Sequence, residues 1–493
     1  MDWISIWISI SSITLLWILR RLVNSGSSKK LPPGPMGIPI LGHFHLLGKN
    51  PHRDLQRLAE KYGPIIHLRL GMVPTVVVSS PAAAEAVLKT HDLVFAGRVR
   101  HEASKYLSYD GRNIVFAPYG SYWRNMRKLC TTELLSSSRI NQFQAMRKAE
   151  LGRLIGGLRS AAAAGESVDI SGRVSSLNGD MICLMVFGRK FGDKELDERG
   201  FKAVVEETMA VAARPNLGDF FPVMGAVDLQ GLRRRMKELS GAFDGFLERI
   251  IEEHKNKESS SKENQDFVDT MMAIMESGEA GFEFDRRHVK AVLLDMLLAG
   301  MDTSTTAIEW TLSELFKHPS IMQKLQEEIA QVVGLDQLVE ESHLDRLDYL
   351  NLIIKESFRM HPAVPLLVHE PMEDCALNGF HVAKGSRLIV NVWSICRDPN
   401  VWQCPEKFTP ERFVGSHIDL RGNDFELIPF GSGRRGCPGL QLGLTVVKLV
   451  VAQLVHCFDW KLEDDVLSME EHFGLVVSRE KPLRAIPTYR LHK

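Results

Sequence analysis

The sequence predicts a mainly α-helical chain carrying small β-sheets. Three observations carry this. Helical periodicity dominates from Ala82 onward and includes two long apolar runs, His288 to Lys317 and Leu440 to Phe458. Short β-like runs, Ile65 to Leu70, Thr75 to Ser79 and Arg387 to Val392, are set off by Gly71, Pro74 and a proline- and glycine-rich stretch between 360 and 430. The strands do not alternate with helices as βαβ units, and no internal repeat is present, so a parallel doubly wound sheet is not expected.

Residues 1–21 read as a transmembrane anchor. Trp3 to Leu19 is apolar without a polar face, lies at the short limit for a spanning helix, and ends at Arg20-Arg21 with Lys29 and Lys30 beyond. Positive charge after the segment places the following chain on the cytosolic side, and no small-residue cleavage site follows it. Residues 22–40 form a basic and proline-rich hinge. Leu31-Pro-Pro-Gly-Pro35 fixes φ and removes donors, which makes a stiff extended connection. Residues 41–493 form the body. Within it, Ala161–Gly165 reads as a connector and the polar stretch 254–266 as an exposed loop.

Bulk properties narrow the function. The net charge is -1, so no global basic field points to nucleic acid. Seven cysteines, scattered and odd in number, suit neither a disulfide framework nor a zinc site, and fit a reducing, cytosol-facing environment.

The most informative stretch is Phe430-Gly-Ser-Gly-Arg-Arg-Gly-Cys-Pro-Gly439. Cys437 precedes an apolar helix and follows two arginines, an environment that biases a thiol toward thiolate. A thiolate is a soft, electron-rich iron ligand that favours O–O cleavage when axial to haem. Glycines allow close backbone approach to a flat cofactor. A second reading shares the segment. Gly431, Gly433 and Gly436 form GxGxxG, a possible strand (Phe425 to Phe430) precedes it, and Asp459 stands where a ribose-binding acid would. That nucleotide-binding dehydrogenase is a distant alternative, since the chain ends too soon for the rest of a doubly wound sheet.

Phe430, Gly433, Arg435, Cys437 and Gly439 match F-x-x-G-x-R-x-C-x-G, and the chain resembles the cytochrome P-450 superfamily. The resemblance runs in family order through anchor, hinge, Trp123-to-Arg127, the 299–304 segment, Glu356-to-Arg359, Pro410-Glu411-Arg412-Phe413 and the cysteine loop, and is closest to plant microsomal enzymes of specialised metabolism. It implies a cytochrome P-450 type fold and haem b (iron protoporphyrin IX), with Cys437 as iron ligand and Phe430 beside its sulfur. Arg435, Trp123 and Arg127 would meet the propionates. At 369, where the family often has arginine, this chain has His369.

Ala299-Gly-Met-Asp-Thr-Ser304 lies in the predicted helix His288–Lys317. Ala299 and Thr303, four residues apart, share a face. Gly300 suggests a kink or local widening. By resemblance Asp302 passes protons inward and Thr303 holds the oxygen species, an acid–hydroxyl pair suited to delivering two protons. Glu356 and Arg359, one turn apart, would join Arg412 in a buried network that holds the cysteine loop. Phe116, Met296, Ala299, Val364 and Leu475 would line an apolar substrate pocket.

The resemblance thus implies a monooxygenase that inserts one oxygen atom from O2 into a lipophilic small molecule, a terpenoid or a phenolic such as a flavonoid. No flavin or NADPH site is evident in the chain, so electrons would come from an NADPH-dependent flavin reductase. The expected location is the endoplasmic reticulum membrane, single-pass, with the catalytic domain facing the cytosol. An O2-independent haem-thiolate isomerase or dehydratase is the alternative, and a non-catalytic haem sensor a further one; the Asp302–Thr303 pair argues against the former.

Overall fold

The structure is a computed structural model that describes residues 30–192, 200–225, 227–256, 265–463 and 466–492. The predicted anchor lies outside the described residues. The hinge from Leu31 to Pro35 has no regular structure and lies against the first strand, where the His67 amide donates to the Pro33 carbonyl at 2.9 Å.

Four strands form the main sheet: β1 (Ile65–Leu70), β2 (Val73–Val78), β3 (Leu366–His369) and β4 (Arg387–Asn391). Their order is β1-β2-β4-β3, antiparallel except for the parallel β2–β4 pair, in which Val76 faces Leu388. β-Branched residues fill β2 and β4, as a sheet buried on its faces favours. Three smaller two- and three-stranded sheets complete the β content among the described residues. The prediction of a helical body with small sheets is borne out.

The helices that position the site are α1 (Ser121–Leu129), α2 (Gln144–Ala164), α3 (Ile170–Phe187), α4 (Phe201–Ala213), α5 (Leu232–Lys255), α6 (Arg286–Lys317), α7 (Asp348–Met360) and α8 (Leu440–Cys457). Asp285 caps α6 through the amides of Arg287 and His288, and His318 ends it before Pro319. From Thr305 to Leu315 every residue of α6 is buried, including the polar Thr306, Glu309, Thr311, Ser313 and Glu314. α6 and α8 are both long and apolar enough to cross a membrane, yet both pack inside the core.

Two local expectations fail. Ala161–Ala164 continues α2, and the break comes only at Gly165, in the left-handed region at φ 67. Alanine has the highest helix propensity, so the run extends the helix instead of ending it. Phe425–Phe430 is not a strand but a series of turns, closed by Leu427 N to Asp424 O and Gly431 N to Ile428 O.

Candidate functional site

Cys437 sits in a loop built to a fixed shape. Its amide donates to the Phe430 carbonyl at 2.8 Å, and Gly436 N donates to Gly433 O at 3.1 Å. Gly433 has φ 65, and a Cβ there would lie 2.2 Å from the Leu88 carbonyl oxygen, so only glycine fits. Phe430 packs on Phe358 of α7 with ring centroids 5.1 Å apart. Helix α8 starts immediately after Gly439 and crosses α6 closely: a Cβ on Gly443 would sit 4.0 Å from Ser304 Oγ and 3.8 Å from Phe430. The loop therefore lies beside the 299–304 segment, from which it is far in sequence. Cys437 borders a cavity of about 190 Å³ shared with Arg127, Phe430, Gly436 and Leu440. A larger cleft of about 410 Å³ at Glu314, His318 and Cys404 contains none of the expected site residues.

Cys437 is exposed and borders that cavity. The protein packed around it raises the thiol, whereas the Gly439 amide and Arg127 favour the thiolate. The two arginines before it also differ in role: Arg434 pairs with Asp92 at 3.1 Å, whereas Arg435 turns inward.

Three guanidinium groups gather near the cysteine with no carboxylate partner among the described residues. Arg435 donates to the carbonyls of Ala96 (2.8 Å), Ile114 (3.2 Å) and Ala117 (2.7 Å) and lies over the Trp123 ring at 4.3 Å. Arg127 donates to Gly436 O at 2.7 Å. Arg98 donates to Val368 O at 2.7 Å and to Val115 O at 3.2 Å. Burial lowers all three, Arg98 to about 10 and Arg435 to about 9, and Arg98 and Arg127 push Arg435 further down by like-charge repulsion. Trp123 gives its single N–H to Ile114 O at 2.9 Å, so it reaches the site through that segment.

Arg98 was not singled out by sequence reasoning. No local spacing marks it, because its partner strand is about 270 residues away along the chain. His369 is 4% exposed and hydrogen-bonds Phe95 O through Nδ1 at 2.9 Å, with Arg98 at 3.4 Å from the same nitrogen. Burial and the neighbouring Arg98 depress it to about 3, so it is a neutral imidazole beside the cation and not itself a cation.

On α6 the burial lapses most between Leu298 and Ser304. Ala299 is exposed, and Gly300, Asp302, Thr303 and Ser304 are half-buried, between buried Leu297 and the buried run from Thr305. The helix runs without a break from Arg286 to Lys317. Gly300 serves close packing: a Cβ there would lie 2.7 Å from Ile182 Cδ1 of α3. Asn178 of α3 donates to the carbonyls of Gly300 (2.9 Å) and Met301. Thr303 Oγ1 donates to Ala299 O at 2.8 Å. Burial lifts the Asp302 carboxyl to about 6, with Glu206 adding to the rise and Lys202 opposing it.

Beneath the loop, Arg359 forks onto Glu356 at 2.7 and 2.9 Å, and Arg412 Nε reaches the same carboxylate at 3.0 Å. Glu356 and Arg359 are fully buried. Of the expected pocket residues, Phe116, Met296 and Val364 are half-buried, whereas Ala299 and Leu475 are exposed. For the dinucleotide reading nothing remains: the strand is missing, and Asp459 is engaged with Gln326 and Arg490.

An excess of half-buried positive charge beside the less buried stretch of α6 suits an anionic ligand, whose oxygens would replace the missing counter-charges. Comparison with known proteins gives the family. The family model described as Cytochrome P450 matches residues 32–486. The chain is 48% identical over 486 residues, 96% of each protein, to a protein named Cytochrome P450 CYP736A12 from Panax ginseng. It is 40% identical to a flavonoid 3',5'-hydroxylase from Solanum melongena, over 96% of this chain and 94% of that one. Among solved structures it matches a zebra fish cytochrome P450 with progesterone at TM-score 0.78 and 27% identity, covering 89% of this chain and 99% of that one.

Proposed function

The chain belongs to the cytochrome P450 family and is a monooxygenase of that family, and from that premise we propose which residues serve the reaction and on what substrate class. The family implies a haem-thiolate cofactor, O2, a lipophilic substrate and a redox partner. We propose haem b held by Cys437, with Arg98, Arg127 and Arg435 supplying cations to its two carboxylates. When bound, that group supplies oxygen activation and insertion.

The protein's own residues do the rest. Phe430 and Phe358 wall the cysteine side with apolar rings. Asp302, a carboxyl raised to about 6, can hold a proton near neutral pH and pass it toward Thr303. Ala299 leaves space on the same helix face. The substrate proposed is a phenolic of flavonoid type. The relative from Solanum melongena supports that class.

The electron donor proposed is an NADPH-dependent flavin reductase, and the location the endoplasmic reticulum membrane with the body in the cytosol. The surface supports a lipid-facing side. Met36, Ile40, Leu41, Met72, Val223 and Leu229 are large exposed apolar residues. Their segments adjoin, since Gly71 N donates to Leu41 O and Met72 N to Phe220 O.

The observation that carries the proposal is the unpaired Arg98–Arg127–Arg435 group beside Cys437. The test is expression of the full chain with a plant reductase and a flavonoid and terpenoid panel. Product that requires O2, reductase and Cys437 supports it. Turnover without O2 would instead establish the isomerase or dehydratase reading.

A further inference from the structure

Residues 113–117 form a strap whose two polar edges face opposite partners. Its carbonyls face the cations: Val115 O takes Arg98 Nε, Ile114 O takes Trp123 and Arg435, and Ala117 O takes Arg435. Its donors face one carboxyl on α6. Asn113 Nδ2 donates to Asp295 Oδ1 at 2.6 Å, and the amides of Ile114 and Val115 donate to Oδ2 at 2.8 and 3.4 Å. Asn113 is 1% exposed and its Oδ1 accepts the Phe116 amide at 2.9 Å, which fixes its Nδ2 toward Asp295. Every partner that Asp295 meets is therefore a donor. Surrounding protein raises its carboxyl to about 7 in spite of those bonds.

We propose that Asp295 is a positioning residue that holds the strap in the register by which Arg98 and Arg435 are aimed. The part about aiming rests on the function proposed above; the part about the strap does not. The bond polarity makes the proposal specific. An amide at 295 must turn its own N–H2 toward Asn113 or toward the strap amides, and donor then meets donor. A carboxylate at 113 opposite Asp295 sets two acceptors face to face, relieved only where the pair holds one proton between them. Exchanging both restores every bond, with the polarity reversed only in the one between 113 and 295. The carboxylate at 113 then takes the Phe116 amide and the new N–H2 from 295, and the amide oxygen at 295 takes Ile114 and Val115.

The experiment compares Asp295→Asn, Asn113→Asp and the double exchange in the haem-loaded full chain. Two readouts are used: amide hydrogen exchange of residues 113–117, and affinity for phenylimidazole read from the haem absorption band. Each single change is expected to speed exchange in the strap and weaken the azole by about tenfold, the effect of leaving one buried donor or acceptor unmatched. The double exchange is expected to return both to within about threefold of the parent, with exchange in α8 unaltered throughout. Single variants that exchange like the parent, or a double exchange no better than the worse single, would overturn the proposal. Should the singles fail to fold, the double exchange must still fold and match the parent, and its failure overturns the proposal equally. A parent chain that binds no haem would refute the proposed function, while strap exchange, read on the protein itself, still decides the role of Asp295.

Discussion

Arg412 Nε lies 3.0 Å from Glu356 Oε1, joining a surface turn to a helix carboxylate that is fully buried. Glu356 also holds Arg359 through both oxygens and accepts the Thr409 amide at 2.8 Å. Arg359 in turn donates to the carbonyls of Cys396 and Pro405. One carboxylate thus bridges two guanidiniums. Glu356→Gln is expected to leave both cations short of charge and to cost about 3–5 kcal/mol, the range for breaking a buried pair. Thermal unfolding and the fraction of protein recovered with haem both check this; a variant with parental stability and haem content would refute it.

Gly433 and Gly415 make a matched comparison. Both have positive φ, 65 and 70, but a Cβ on Gly433 would meet the Leu88 carbonyl at 2.2 Å whereas one on Gly415 meets nothing within 4 Å. Gly415→Ala should cost about 1 kcal/mol, the left-handed penalty alone. Gly433→Ala must also displace backbone and is expected to cost at least about 2 kcal/mol more than that, with loss of haem from the purified protein. Denaturant midpoints of the two variants give the difference.

Legibility in the sequence followed the range of the interaction. The helix from 286 to 317, the helix from 440 to 457 and the strands at 65–70 and 387–391 were readable because apolar period and turn residues are local signals. The Glu356–Arg359 pair was readable for the same reason, one turn apart on one helix. The counter-charge problem was not. Arg98 becomes a neighbour of Val368 and His369 only through folding, and the fate of His369 as a neutral imidazole depends on that neighbour. Gly300 suggested a kink or local widening because glycine weakens helices, whereas its close packing against Ile182 depends on another helix and was not legible. The motif around Cys437 pointed to a thiolate, and Arg127, which favours that form, comes beside it only through folding.

Arg98 gives the third prediction. Arg98→Gln removes one of three converging cations and relieves its repulsion of Arg435. The protein without cofactor should be no less stable. Haem should leave faster by about tenfold or more, the loss of one charge-assisted bond to a carboxylate. Transfer of haem to an excess of an acceptor protein measures the rate. Unchanged transfer would show that Arg98 serves the Val115 and Val368 carbonyls alone.

Asp302 makes the sign of a pH effect testable. Burial raises its carboxyl from 3.8 to about 6, so the folded protein binds the proton more tightly than the unfolded chain. Stability from this group is fully present below about pH 4 and is lost as pH rises through about 6. Asp302→Asn, which carries no charge at any pH, removes that loss. The variant should match the parent near pH 4 and exceed it above pH 7, by about 1 kcal/mol once the partial exposure of Asp302 is allowed for. Activity should move the other way. A proton-passing carboxyl cannot be replaced by an amide, so kcat should fall by about 100-fold or more while phenylimidazole affinity stays at the parental value. Greater stability together with lost turnover is the signature of a charge kept in an unfavourable place for its chemistry. A variant less stable than the parent at pH 8, or one with parental kcat, would assign Asp302 to structure.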